Sequence, residues 1–327
     1  MKVCKILDPG LLCTIQDLGR KGYYSIGIPN SGAFDPISFK YGNAILKNNA
    51  NDAGIEVLWG GLRLVFMEET VIAITGADMH PKVDDAAVPM WRPIQVKKGQ
   101  SLTLKGPPEI GVRAYLCIAG GIDVPEFYGS RSTYLLLGRG GYEGRKLQKG
   151  DILSSFAAGN MPGLEDVKPY VIPAFSSPWQ IRILFGLQRE LFDAQTIQNF
   201  GEKKWTVTDK ANRVGLRLGG QEVKFQIPDG LNDSGIGGVN PSNIPTEGNP
   251  MGSIQCPSET ELIVIGPDGP CEGGYAKIGT IITADFHLLG QVKPGDDVFF
   301  RPIEYSEAYR ALLDQKEKLS YIEAEKG

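Results

Sequence analysis

The sequence predicts a mainly β protein of two domains with a few short helices, and three observations carry that expectation. Short apolar runs recur along the chain with turn residues between them. The 327 residues include 42 glycines and 22 prolines, a supply of tight turns suited to a β-rich protein. Between Ala157 and Pro178 the periodicity lapses among Gly159, Pro162, Gly163, Pro169 and Pro173, which places a boundary there. The length suits two domains at about 150 residues each. The expected division is a β-barrel domain over residues 1–160, a linker over 161–178, a second β-barrel domain over 179–303 and a C-terminal helix over 304–327.

The elements follow in order. Asp35-Pro36 pairs a helix cap with a proline suited to the first helical position, so a helix is expected from there to about Leu46. Strands are expected at Arg63–Phe66, Val71–Thr75, Ser101–Leu104 and Ala114–Ala119, several of them alternating apolar with polar residues. The second half offers strands at Ile181–Leu184, Leu262–Ile265, Thr280–Thr283 and Val298–Phe300, and a helix over Leu187–Phe200. Three turns resemble one another: Lys98-Gly99-Gln100, Lys149-Gly150-Asp151 and Lys293-Pro294-Gly295-Asp296 each lead into a strand. Such repetition suits barrels or sandwiches. The last helix runs from Tyr305 to about Ala324, with Ala308, Tyr309, Leu312 and Leu319 broadly on one face.

Composition excludes several classes of function. Hydrophobic residues make up 42% and charged residues 22%, an ordinary soluble globular balance. The formal net charge of -4, with no Lys/Arg block, argues against nucleic-acid binding. No apolar run approaches the roughly 20 residues of a membrane helix. The opening MKVCKILDPG lacks the apolar stretch of a signal peptide, so a cytoplasmic location is expected. Cys4, Cys13, Cys117, Cys256 and Cys271 show no metal-ligand spacing and read as reduced, buried thiols. With only His80 and His287, a zinc site or a Ser-His-Asp triad is poorly supplied, and no metal is expected.

The densest chemistry lies between Tyr115 and Asp151. A strand breaks at Gly120-Gly121, then Gly129-Ser130-Arg131-Ser132-Thr133 precedes a loop with Gly138, Gly140, Gly141 and Gly144. A guanidinium beside hydroxyls on a glycine-framed turn suits a carboxylate, carbamate or phosphate. Arg131 pinning loop carbonyls, with Ser132 and Thr133 capping turns, accounts for the same residues structurally. Near the N-terminus, Gln16, Asp17, Arg20 and Ser31 stand among glycines, fit to face a ligand or a partner chain. Alternatively, Asp17 and Arg20 close a turn as an ion pair while Asp35 caps its helix. In the second half, Arg213 and Arg217 offer guanidinium forks. A strand ending at Asp268 then gives way to a loop from which Tyr275 and Lys277 emerge, with Gln255 nearby, a set able to orient a small amide or carboxylate. A hairpin loop with an aromatic plug is the alternative. Cys271 has no base beside it and reads as an inert thiol. No GxxxxGK[ST] and no true GxGxxG occur, so no nucleotide loop is recognisable.

These motifs also carry a resemblance. TIQDLGR, GIPNSGAFDP, Thr75-Gly76-Ala77-Asp78, Trp91-Arg92-Pro93 and YLCIAGGIDVPEFYGSRSTYL, followed by NRVGLRL, GSIQCP, GGYAKIGTIITAD and QVKPGD, resemble the allophanate hydrolase subunit 2, or biotin-dependent carboxyltransferase-like, family. The resemblance is collinear from Lys5 to about Phe300. It implies a pair of cyclophilin-like β-barrel domains. For bacterial members it implies the C subunit of 5-oxoprolinase, working with the A and B subunits in ATP-dependent opening of 5-oxoproline to glutamate. The complex would use ATP with Mg, and no cofactor would be intrinsic to this chain. Substrate binding is then expected of Arg131, Ser132, Thr133, Gln255, Asp268, Tyr275 and Lys277, with Gln16, Asp17, Arg20, Ser31 and Arg213 supporting the site or an interface. The same family implies two alternatives: carboxyl transfer to a urea-like amide with biotin on another chain, or regulation by binding a Kip-inhibitor-like protein. One departure stands out: where the family's loop carries an amide and two hydroxyls, this chain has Pro270, Cys271 and Glu272. A carboxylate there would repel an anionic substrate.

Overall fold

A computed structural model of the chain describes residues 1–156, 172–226 and 240–324, with side chains up to residue 320. Positions 161–171 of the expected linker therefore lie outside the described residues. The chain divides into two compact units, one of Met1–Arg20, Ser31–Phe175 and Lys316–Gly327, the other of Lys21–Asn30 and Ser176–Gln315. The sequence division gave each domain one continuous stretch; here each unit is assembled from separated stretches. Residues 21–30 join the second unit because Tyr24 packs beside the backbone of Met251, a contact no local pattern announces.

The first unit contains strands β1 (Lys2–Pro9), β2 (Leu12–Gln16), β3 (Gly54–Leu58), β4 (Leu62–Phe66), β5 (Thr70–Gly76), β6 (Pro81–Val83), β7 (Ala86–Ala87), β8 (Pro93–Val96), β9 (Ser101–Leu104), β10 (Arg113–Ile118), β11 (Ile122–Asp123) and β12 (Ile152–Ser155). They form a seven-stranded sheet in the order β11-β12-β1-β4-β9-β6-β7 and a five-stranded sheet in the order β2-β3-β10-β5-β8. From Ala114 onward strand β10 reads as an apolar run because both of its faces are covered. Ala114, Leu116 and Ile118 join the main core with Ile6, Leu64 and Leu102. Tyr115, Cys117 and the following Ala119 pack with Phe39 and Ile45 of helix α1 (Pro36–Ile45). Truncating Leu116 to Ala in such a setting costs about 2–5 kcal/mol. Helix α1 starts as expected: Asp35 accepts from the Ser38 amide at 2.9 Å and Pro36 follows. Gly42 lets the helix lie close, since a Cβ there would sit 2.7 Å from the Cys117 sulfur.

The second unit contains β13 (Trp179–Phe185), helix α2 (Ala194–Phe200), β14 (Lys204–Val207), β15 (Gly215–Gly219), β16 (Asn243–Gly248), β17 (Ser253–Ser258), β18 (Glu261–Ile265), β19 (Glu272–Tyr275), β20 (Lys277–Ile281), helix α3 (Phe286–Leu289), β21 (Asp297–Pro302) and helix α4 (Tyr305–Ala324). Seven strands close a barrel in the order β13-β20-β17-β18-β15-β14-β21, with parallel pairing of β21 to β13 completing it. Trp179, Ile181 and Ile183 of β13 alternate into the barrel core with Val264, Ile278 and Phe300. Strands β16 and β19 form a separate two-stranded ribbon.

The mainly β architecture matches the expectation, with two differences in detail. The helix expected over Leu187–Phe200 is broken: a 3-10 turn over Leu187–Leu191 ends at Phe192, which turns extended (φ -113, ψ 143), and α2 restarts on the Asp193 cap. Burial of Phe192 against Phe225, with ring centroids 5.1 Å apart, overrides local helix propensity. The strand expected at Thr280–Thr283 instead begins at Lys277 and gives way to a 3-10 turn at Thr283. In α4, Ala308, Tyr309 and Leu312 line an open groove of about 590 Å³ within the second unit. No helix among the described residues is long and apolar enough to cross a membrane.

Candidate functional site

In the first unit the predicted polar residues meet in one buried knot. Strand β2 delivers Gln16 and then Asp17, which is fully buried. Its carboxylate accepts from the Ser130 hydroxyl (2.7 Å), the Ser132 hydroxyl (2.5 Å), the Gly19 amide (2.8 Å) and the Arg131 amide (2.6 Å). A buried carboxylate needs such an array to offset its lost hydration. Arg20, 1% exposed, donates to the Ser31 hydroxyl at 2.7 Å, the Ser132 carbonyl at 2.5 Å and the Phe127 carbonyl at 3.3 Å. Thr133 donates to the Ile15 carbonyl at 2.9 Å, and Gln16 Nε2 donates to Thr14 and to the Thr133 carbonyl. The knot is long-range, tying residues 16–20 to residues 127–133. Ser132 links Asp17 to Arg20, a bridge that a simple turn-closing pair would not supply.

Arg131 stands at the edge of this knot with its fork in use. Nε donates to the Val124 carbonyl at 3.1 Å, Nη1 pairs with Glu126 at 2.7 Å, and the guanidinium lies 5.0 Å from the Phe156 ring centre. The structural account of Arg131 as a pin for loop carbonyls thus describes its contacts. The knot also seats the glycine loop. A Cβ on Gly140 would overlap the Ser132 carbonyl and lie 3.1 Å from Arg20 Nη2, and one on Gly141 would overlap the Thr133 hydroxyl. Both residues have positive φ (69 and 58), so glycine is required twice over.

In the second unit, neighbouring strands place Gln255 of β17 in register with Lys277 of β20. Lys277 Nζ lies 2.5 Å from Glu247 on β16, and Glu247 also accepts from Gln188 at 2.6 Å. Gln188 in turn accepts from the Lys277 amide at 2.8 Å. The Lys277 ammonium beside it holds the Glu247 carboxyl below its ordinary range, against the opposing pull of desolvation. Gln255 is 4% exposed and its Nε2 has no partner among the described residues; the same is true of Oδ1 on fully buried Asn249. Both amides crowd Gly273, where a Cβ would overlap Gln255 Nε2 and lie 3.2 Å from Asn249 Nδ2.

Arg213 and Asp268 are turned on each other, buried, at 2.7 and 3.3 Å, and the Asp268 amide donates to the Arg213 carbonyl at 3.1 Å. Tyr275 is 39% exposed on β19. Side chains alternate along a strand, so Tyr275 shares the face on which Gly273 meets Gln255, while exposed Glu272 points to the other. The carboxylate in the altered loop is therefore directed away from the buried amides. Burial, and then the Glu272 carboxylate, raise the pKa of Cys271, consistent with an inert thiol. Sequence reasoning missed Asn249, Glu247 and Gln188. Asn249 lies just ahead of the Gly252-Ser253-Ile254-Gln255 segment, but Glu247 and Gln188 arrive through a ribbon and a 3-10 turn that no motif marks. Among the described residues no three His, Cys, Asp or Glu side chains are grouped to hold a metal ion.

Residues 26–302 match the model of the family described as carboxyltransferase domain, subdomain A and B. The chain belongs to this carboxyltransferase-domain family. Within it, the chain is 36% identical to urea amidolyase of Lachancea kluyveri across 98% of its own length and 18% of the yeast protein's. It thus spans under a fifth of that relative. It is 35% identical to the C subunit of 5-oxoprolinase from Escherichia coli over 95% of both chains. The crystal structure of Kluyveromyces lactis urea carboxylase superposes with a TM-score of 0.90 at 34% identity, covering 98% of this chain and 29% of that one. The family match takes in the glycine loop and the second unit's amide cluster; Asp17 and Arg20 precede it.

Proposed function

We propose that this carboxyltransferase-domain chain is the C subunit of an ATP-dependent 5-oxoprolinase, opening the lactam of 5-oxoproline to glutamate only together with the A and B subunits. The observation that carries the reading is the similarity to the Escherichia coli C subunit over 95% of both chains. The chemistry of the second unit is compatible with it. A lactam is a poor electrophile, and activation of its oxygen by ATP makes ring opening feasible. Gln255, Tyr275 and Lys277 are suited to orient a small amide, with the Arg213–Asp268 pair holding the loop from which the ribbon departs. Ser132, Thr133, Gln16, Asp17, Arg20 and Ser31 support the first unit's loop, with Arg131 pinning its neighbour. ATP and its Mg are assigned to the partner proteins, no cofactor to this chain, and the complex to the cytoplasm. The test is reconstitution with the A and B subunits of the same organism. Glutamate release that needs ATP and all three chains supports the assignment; a stable three-chain complex without turnover sinks it.

The urea carboxylase superposition favours a second reading, carboxyl transfer to a urea-like amide. Biotin would then arrive on another chain. Streptavidin blotting of proteins co-purifying with this chain decides it: a biotinylated partner supports the reading, and only non-biotinylated partners count against it.

A further inference from the structure

The glycine loop of the first unit presents donors that the buried knot does not use. Gly144 and Arg145 donate back to the Gly140 and Tyr142 carbonyls, closing a turn. The amides of Gly140, Gly141, Tyr142 and Glu143 have no acceptor among the described residues, even though Gly141 is buried. Gly140, Gly141, Glu143 and Gly144 have positive φ (69, 58, 55 and 70) while Tyr142 between them does not, so the backbone changes hand on either side of Tyr142, as it does where neighbouring N–H groups line an anion-binding concavity.

This turn forms one wall of a groove of about 570 Å³, faced by residues 123–127. Arg139 lines the groove, exposed, with no ion pair or side-chain hydrogen bond among the described residues. Two acids of the groove are neutralised: Glu126 pairs with Arg131 and Glu143 with Arg145, each at 2.7 Å. Asp123 is left without an ion pair among the described residues. The groove therefore offers a guanidinium and a row of amides for an oxyanion, and one carboxylate for an N–H group. We propose that the 139–143 turn is a binding site for the carboxylate of a small acid that also bears an N–H. The preference for carboxylate over phosphate rests on the proposed 5-oxoprolinase reaction, whose substrate and product both carry one.

The test is a titration of the full-length ¹⁵N-labelled chain followed through its backbone amide resonances. The ligands are 5-oxoproline, N-acetylglycine, the neutral 5-oxoprolinamide and inorganic phosphate. Both acids are expected to shift Gly140 to Glu143, and the neutral amide is not. Arg139→Gln is expected to weaken binding about tenfold, the loss typical of one charge-assisted hydrogen bond, with the rest of the spectrum unchanged. Arg139→Lys should keep part of the affinity. Silent loop resonances with both acids, an equal response to the neutral amide, or a response to phosphate alone each overturn the proposal. A response to N-acetylglycine sustains the site even where the reconstituted complex fails to open 5-oxoproline, so the two readings fail separately.

Discussion

Gly138 and Gly140 share a left-handed backbone, with φ of 63 and 69, for different reasons. At Gly138 a Cβ would meet nothing within 4 Å; at Gly140 it would overlap the Ser132 carbonyl that Arg20 holds. Gly138→Ala is therefore expected to carry only the backbone cost, about 1–2 kcal/mol. Gly140→Ala must also displace the Ser132 carbonyl and weaken its bond to buried Arg20, for a total of about 3 kcal/mol or more. Urea denaturation of the two variants measures the difference, and equal costs would refute the seat. At this scale the sequence singles out residues that the fold brings together, without showing their duties. Gln16, Asp17, Arg20 and Ser132 stand out by type, but only their convergence shows that they hold a loop. Arg139, lying among plain leucines and glycines, stands out by nothing except its charge.

The three look-alike turns prove to be one device. In each, a backbone N–H closes the turn: Gln100 to Lys97, Asp151 to Gln148 and Asp296 to Lys293. The side chain of the same closing residue accepts back from the first residue's amide, at 2.8, 2.7 and 3.1 Å. Gly99, Gly150 and Gly295 have φ of 88, 98 and 86, the third-position conformation of a type II turn. Local hydrogen bonds suffice for this device, which is why it is legible in sequence. The β16–β19 ribbon is not legible, because its register depends on Glu247 reaching Lys277 and Gln188 on other elements. Its ion pair makes a pH prediction. The folded-state pKa of Glu247 lies below the ordinary glutamate value of about 4.3, so the pair's contribution is present above that value. It is lost as pH falls through the depressed folded-state pKa. A carboxyl ¹³C titration should place the Glu247 midpoint below that of a free-peptide glutamate, and Lys277→Met should return it toward the ordinary range.

Across the whole molecule the five thiols report on global opening. All are buried; burial pushes Cys4 up to about 12 and raises Cys13, Cys117 and Cys256 as well. At pH 8 a thiol reagent is expected to leave the native chain unlabelled over the time in which it labels all five cysteines in denaturant. Rapid reaction at Cys271 would contradict its placement. The β class and α4 could be read from periodicity because each depends on neighbours in sequence. The make-up of the units could not, because residues 21–30 are claimed by Met251 and its surroundings more than two hundred positions away. That interleaving has a consequence for how the chain can be cut or moved. Scission after Phe175 leaves a decapeptide belonging to the second unit on the first fragment, and the end of α4 belonging to the first unit on the second. Neither half is a separable cassette. A gene rearrangement that transplants this fold has to carry both units together, and in the Lachancea kluyveri urea amidolyase 98% of the chain is matched as one block.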